Sequence, residues 1–178
     1  METEGTLSSA WDQHLAAEFA ARSANEALAT MAAAPHVNHV PLMIGGRGRA
    51  ELHDFYANHC LNQIPQDLET VAVSRTIGQG RVVDELVMRF SHSVRMDWLL
   101  PGIAPTGERV ELPFVVVVQF AGDKVAHEHV YWDQASVLVQ VGLLDRTLPV
   151  RGGETAAQVL NPTQPMNELI RRAAVNGR

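Results

Sequence analysis

The stretch from Val115 to Asp133 constrains this chain more than any other. Four consecutive valines, Val115 to Val118, run through Gln119-Phe120 into the turn Ala121-Gly122-Asp123-Lys124. The chain then returns as Val125-Ala126-His127-Glu128-His129-Val130-Tyr131-Trp132-Asp133. The first arm is apolar on successive positions, as a strand covered on both faces must be. The second carries five groups that donate, accept or move protons: His127, Glu128, His129, Tyr131 and Asp133. Such groups are costly inside a sheet unless they are satisfied or used. The hairpin therefore fixes an antiparallel sheet and marks where a site should be sought.

At 178 residues the chain suits one domain, able to bury roughly 70 % of its unfolded surface. An apolar share of 46 % against 19 % charged residues describes a globular protein, not a disordered or fibrous one. The net charge is −6, and Arg47-Gly48-Arg49 and Arg171-Arg172 are too sparse to make a basic patch. That speaks against a nucleic-acid partner. No stretch approaches the ~20 apolar residues of a membrane span. Met1-Glu2-Thr3-Glu4 lacks the positive start of a signal peptide, and Cys60 stands alone, which precludes an internal disulfide. A soluble protein of the reducing cytoplasm is the expectation.

Ser8-Ser9 can cap a helix continuing to about Met31, with Trp11, Leu15, Phe19 and Leu28 as its apolar stripe. Ala32-Ala33-Ala34-Pro35 should stop it. Residues 36–41 read as a short strand ended by proline, and 44–48 as a flexible glycine-rich turn. A second helix follows, over about 49–62. From Leu68 onward the pattern changes to strands, 68–76, 82–99, 110–120 and 125–133, joined by glycine and proline turns as an antiparallel meander. Residues 135–144 read as a short amphipathic helix. Beyond Pro149 the composition loosens. Residues 1–148 are thus read as the domain, and 149–178 as an extension with a helix over about 167–174 that could dock on a partner subunit. Helices first and a curved antiparallel sheet afterwards make an α+β plan. The early helices should cover the concave side and leave a pocket at the open end.

Strand alternation sorts the candidate residues by face. Ala126, Glu128, Val130 and Trp132 share one side of the last strand, and His127, His129, Tyr131 and Asp133 the other. In the 82–99 strand, Leu86, Met88, Phe90, His92, Val94, Met96 and Trp98 oppose Glu85, Arg89, Ser91, Ser93, Arg95 and Asp97. The apolar set should face the pocket. Glu128 is then a lone carboxyl among apolar neighbours, raised by desolvation into a donor or base near neutrality. The plainer reading is a structural carboxyl paired with an arginine in a dimer interface. His39 and His92 sit on pocket strands and can exchange a proton with Glu128, although such histidines are more often hydrogen-bonded core residues. Asp97 enters a Pro-Gly loop, either as a catalytic group or as an anchor for loop N–H groups. Trp98, Trp132, Phe114 and Val130 are candidate lining for a small apolar ligand. His127 and His129 point the same way, but only Asp133 shares their face. A metal site normally needs a third or fourth ligand, so no metal is expected there.

Helix, short strand, helix and four-strand meander, with particular residues, resemble the nuclear transport factor 2-like superfamily in its SnoaL-like, polyketide cyclase-like branch. The carrying segments are Asn38-His39-Val40-Pro41 before the glycine turn, Phe55-Tyr56, Met96-Asp97-Trp98-Leu99-Leu100-Pro101-Gly102 and Pro105-Thr106-Gly107. Gly122-Asp123-Lys124-Val125 through Trp132-Asp133, and Val141-Gly142-Leu143-Leu144, complete them. The likeness spans roughly residues 10–145. It implies a cone-shaped curved antiparallel sheet with N-terminal helices over its concave face. Activity is implied less sharply, since that superfamily hosts cyclases, isomerases, hydrolases and inactive binding domains. Limonene epoxide hydrolases look similar around an Arg-x-Asp motif, matched here by Arg95-Met96-Asp97. Their second Asp would fall on Val130 and their water-positioning Asn on His39, so the paired-Asp mechanism is not implied. In SnoaL-like cyclases a strand carboxylate is the acid/base, and Glu128 is its nearest equivalent.

The functional expectation is a cofactor-free cyclase, isomerase or hydrolase acting by proton transfer on a small apolar organic molecule. Glu128 would be the acid/base, with His39, His92 and Asp97 polarising a carbonyl or activating water. The alternatives are a non-catalytic ligand-binding or dimerisation domain, and a metal-dependent enzyme using His127 and His129. A homodimer through the outer sheet face is expected, because its valines and aromatic residues would otherwise be left wet.

Overall fold

The computed structural model describes residues 4–176. Helix α1 (Glu4–Leu15) runs on through a widened turn, Ala16–Ala20, and breaks at residues 21–23. There Arg22 takes a left-handed φ of 50° and Ser23 accepts the Glu26 N–H to cap α2 (Ala24–Ala29). The single long helix expected to reach Met31 is therefore two. The buried side chains of this segment are Leu7, Trp11, His14, Ala17 and Glu18, not the stripe through Leu15 and Phe19. Leu7, Trp11, His14 and Glu18, spaced four, three and four, still define one helical face, and two of them are ionisable.

Strand β1 (Met31–His39) starts five residues before the expected one and contains Pro35. Proline is tolerated because the register shifts between Met31 and His36, where the ladder is already irregular. β2 (Ile44–Arg47) corrects the expected glycine turn: it is an edge strand paired antiparallel with β1. At Gly45, φ is +142° and a Cβ would lie 2.1 Å from the Val37 carbonyl oxygen. Only glycine fits so close an approach. α3 (Gly48–Asp54) continues as a widened turn, Phe55–Cys60, and a tight one, Leu61–Gln63, burying Leu52, Phe55, Tyr56 and Leu61.

The meander consists of β3 (Glu69–Gly78), β4 (Arg81–Ser91), β5 (Arg109–Ala121) and β6 (Lys124–Tyr131). The mixed sheet has the order β2-β1-β6-β5-β4-β3, and β1 lies parallel to β6. β4 ends at Ser91, eight residues short of the expected Leu99. His92 still bonds Glu108, but the Ser93 N–H turns back onto the Ser91 carbonyl, and the Leu99 and Leu100 N–H groups both reach the Met96 carbonyl. Apolar alternation continues past Ser91 because the loop is itself buried, not because it is a strand.

Asp133 accepts the Ala135 and Ser136 N–H groups and so caps α4 (Gln134–Gln140). α5 (Glu154–Leu160), which periodicity does not announce, buries Ala156 and packs on β5. α6 (Glu168–Asn176) follows, tied back by an Arg151–Glu168 pair at 2.8 Å.

α1 lies across the inner faces of β3, β4 and β6, and α3 lies over β1 and β2. Trp11 and Tyr56 are each 1 % exposed. Burying a side chain so fully contributes roughly 1.5–3 kcal/mol. A polar clamp fixes α1 in rotation. Arg75 on β3 bonds Asp84 through two nitrogens, at 2.6 and 2.7 Å, and also reaches Asp12 and Ser8 of α1. The Trp11 indole N–H donates to Asp84 at 2.7 Å. With α1 so held, His14 and the turn beyond it must face the sheet.

Candidate functional site

A cavity of about 380 Å³ lies between these helices and the sheet. It falls in the range of small-ligand pockets, about 300–1,000 Å³. Its wall is oily: Leu15, Phe19, Leu61, Ile64, Leu86, Met88, Trp98, Phe114, Val116 and Val130. Glu18, His39, Tyr56, Asp84 and Glu128 are the ionisable or hydroxyl groups that punctuate it, beside Cys60 and Thr70.

Glu128 is 4 % exposed, and its partner is no arginine. His14 places Nε2 3.0 Å from Glu128 Oε1 and 3.1 Å from Glu18 Oε1. The four-residue step from His14 to Glu18 is a helical neighbour pair, while β6 delivers Glu128 from across the cavity. The protonation state follows from the other ring nitrogen. His14 Nδ1 sits 2.5 Å from Thr30 Oγ1, whose own proton goes to the Ala27 carbonyl. Thr30 must therefore accept, so Nδ1 carries a proton. A second proton on Nε2 then goes to Glu18, with Glu128 Oε1 close beside it but outside hydrogen-bond geometry, and His14 is an imidazolium. Burial alone would pull its pKa down, but Glu18 and Glu128 raise it to about 10.

The two carboxylates are not equivalent. Burial would raise Glu18, yet the adjacent imidazolium brings it below its ordinary value of 4.5. Glu128 moves the other way: burial raises it, Glu18 adds to the rise, and His14 opposes it. One cation and two carboxylates leave a net negative charge in a dry wall, and Glu128 is where a proton relieves it.

Two further groups face the cavity. His39 is buried and lies 3.1 Å from the Trp98 carbonyl through Nδ1. A carbonyl can only accept, so Nδ1 carries the proton and Nε2 is a lone pair. Burial holds the ring neutral by lowering its pKa. Tyr56 presents a buried hydroxyl without a well-formed hydrogen bond, and burial and the nearby carboxylates push its phenol upward. It remains an O–H donor.

No protein-family model matches the chain, and no curated protein matches its sequence. Solved structures do match in fold. A protein described as a SnoaL-like polyketide cyclase, from Jannaschia sp. CCS1, superposes with a TM-score of 0.64 at 18 % identity, over 82 % of this chain and 97 % of its own. AclR from Streptomyces galilaeus, described as a hydroxylase, gives 0.62 at 14 %, over 98 % and 94 %. SalBIII, an epoxide hydrolase/cyclase-like enzyme of pyran ring formation in the polyether salinomycin, gives 0.57 at 14 %, over 75 % and 95 %. The chain has the nuclear transport factor 2-like fold. Its open sheet, wrapped by early helices, is the α+β cone that the SnoaL-like resemblance implies.

On this fold the residues singled out in the sequence separate into two groups. Glu128 and His39 line the cavity, and so do Trp98, Phe114 and Val130. Trp132 stands behind the wall, stacked on Phe114 at 5.3 Å and edge-on to His39 at 5.5 Å. Asp97 does not reach the cavity. Its carboxylate is held by Arg95 at 2.7 Å, His59 at 3.1 Å and Gln63 at 3.2 Å, and the Arg95 bond keeps it well below the usual carboxylate range. It anchors the loop after β4. His92 also lies outside. It is fully buried and accepts the Thr106 N–H at Nδ1, tying that loop to the turn before β5. His92 is placed in the pocket by an alternation that assumes a strand to Leu99, but the strand stops at Ser91; Asp97, expected on the opposite face at the loop, takes the anchoring role.

His14, Glu18, Tyr56 and Asp84 have no place in the sequence reading of the site. The His14-x-x-x-Glu18 spacing on a helix containing Trp11 was the available signal. One more correction concerns the opposite face of β6. Asp133 is spent on the α4 cap, but His127 and His129 do find a third partner, His36 of β1.

Proposed function

We propose that the chain is a small-molecule enzyme that moves a proton within its apolar cavity, as a cyclase, isomerase or hydrolase. The observation that carries this reading is the buried His14–Glu18–Glu128 cluster, whose two carboxylates line an oily hollow while His14 stands behind them. Glu128 acts as the base. When it takes a proton from substrate or water, the cluster passes from net negative to neutral, a change that a desolvated wall favours. Glu18 and His14 touch Glu128 or each other and set its basicity. Tyr56 donates its O–H to the oxygen on which charge develops. His39, its Nδ1 proton committed to Trp98, accepts a hydrogen bond from a substrate hydroxyl or water instead of polarising a carbonyl. The substrate is a small, mostly apolar molecule with one or two oxygen functions, matched to about 380 Å³. The neighbours described as cyclase, hydroxylase and epoxide hydrolase/cyclase-like show which chemistries this fold accommodates.

The test is a turnover screen over small carbonyl compounds and epoxides with wild type and Glu128→Gln in parallel. Glu128→Gln keeps the side-chain volume and should lose about 10²–10⁴-fold in rate, the usual contribution of a positioned acid or base. Its melting temperature should stay near that of the parent. A Glu128→Gln protein as active as wild type contradicts the proposal.

A further inference from the structure

The outer face of the sheet carries a second cluster that proton transfer in the cavity does not use. Parallel pairing sets His36 of β1 opposite His127 of β6, and Asn38 opposite His129. His127 and His129 lie two residues apart, hence on one face, so three imidazoles converge there from two strands. The His36 and His127 rings stack at 4.6 Å, and those of His127 and His129 at 4.8 Å. One nitrogen from each ring lies within 4.8 Å of those of the other two. His36 Nε2 and His129 Nε2 are 3.3 Å apart.

That last distance matters. Two ligands at the 2.0–2.1 Å of a Zn–N bond, at a tetrahedral angle, stand about 3.3–3.4 Å from each other. The His36–His129 pair already spans one edge of such a tetrahedron. His127 has to swing inward by at most roughly 1.5 Å, a side-chain adjustment open to a partly exposed ring. All three rings are partly exposed, so the vertex is accessible to an ion from solvent.

We propose that His36, His127 and His129 form a binding site for a divalent transition-metal ion, zinc foremost, with one coordination position left to water.

The surroundings narrow the choice of metal. Arg47 of β2 lies near His36, and Arg81 of β4 near His127. The same guanidinium groups repel any cation, so binding cannot rest on charge attraction. Coordination bonds must supply it. That favours ions that prefer imidazole, zinc, copper or nickel, over magnesium and calcium, which prefer carboxylate and water. The inner cluster differs in kind. His14 already holds protons on both ring nitrogens, with Glu18 hydrogen-bonded to it and Glu128 beside it as a second counter-charge, so a metal there must first displace a tightly held proton.

The experiment uses the full chain, stripped with a chelator and titrated with zinc chloride alone by calorimetry. Cobalt chloride in a parallel titration reports geometry through the visible absorption of the tetrahedral ion. One equivalent per chain, with an intense tetrahedral cobalt spectrum, is expected. His129→Ala should weaken binding at least about 100-fold, the upper end of what losing even a supporting second-shell group costs. His36→Asn should do the same, and both metal-free variants should melt within a few degrees of the parent. Absence of stoichiometric zinc binding overturns the assignment. Zinc retained with unchanged affinity in a His127→Gln/His129→Gln protein overturns it as well, by moving the metal to the cavity cluster.

Discussion

Glu128 and its neighbours His127 and His129 occupy opposite faces of β6, and the two faces treat ionisable groups in opposite ways. On the inner side the groups are complementary: an imidazolium sits between two carboxylates at 3.0 and 3.1 Å. On the outer side they are alike, three imidazoles with His36 and His129 3.3 Å apart. The inner cluster is thus a store of charge that responds to a proton. The outer one is a set of lone pairs that responds to a cation. A single strand supplies both because alternation sends consecutive side chains into different solvents, an oily cavity and a wet surface.

If this contrast is real, truncating the histidines should have unequal costs. His14→Ala leaves two carboxylates buried without their cation and should destabilise by about 3–5 kcal/mol in urea unfolding. His129→Ala removes a half-exposed ring and should stay within about 0.5 kcal/mol. Equal losses would break the comparison. A smaller effect sharpens it. The folded pKa of His14 is raised from 6.5 to about 10, so its stabilising contribution is complete below 6.5 and disappears as pH climbs towards 10. The raised pKa of Glu128 acts in the same direction, its contribution being lost as pH rises above its ordinary 4.5. The lowered pKa of Glu18 acts oppositely, giving stability that is lost as pH falls below 4.5. Unfolding free energy should therefore decline from neutral to alkaline pH in wild type, and decline less in His14→Gln. An identical slope in both proteins would contradict the assignment of charge.

Much of this was readable from residues alone. The hairpin through Gly122-Asp123 gave the antiparallel core of the sheet, and period-two alternation put Glu128 and Val130 on the cavity side of β6. The misses have physical causes. Residues 92–100 keep an apolar alternation because they are buried as a loop, so periodicity extended β4 and placed His92 in the pocket. β1 was cut short because alanines and Pro35 look like a helix stop, although an irregular register accommodates them. His14 and Glu18 escaped because polar residues on a helix are normally assigned to its solvent face. Here the stripe runs Leu7, Trp11, His14, Glu18, and the cost of burying the His14 cation is offset by a strand carboxylate 114 residues away in sequence. The outer cluster was hidden for a similar reason. The parallel pairing that brings His36 to His129 joins positions 93 residues apart, which no local pattern encodes.

Everything proposed for the cavity depends on His14 being a cation clamped between two carboxylates. Nitrogen-15 NMR of the histidine side chains, with His14→Gln to assign the resonance, measures that directly. The account predicts a ring protonated on both nitrogens well above neutrality, losing its proton only near pH 10. A His14 that titrates at or below its ordinary value of 6.5 would contradict it.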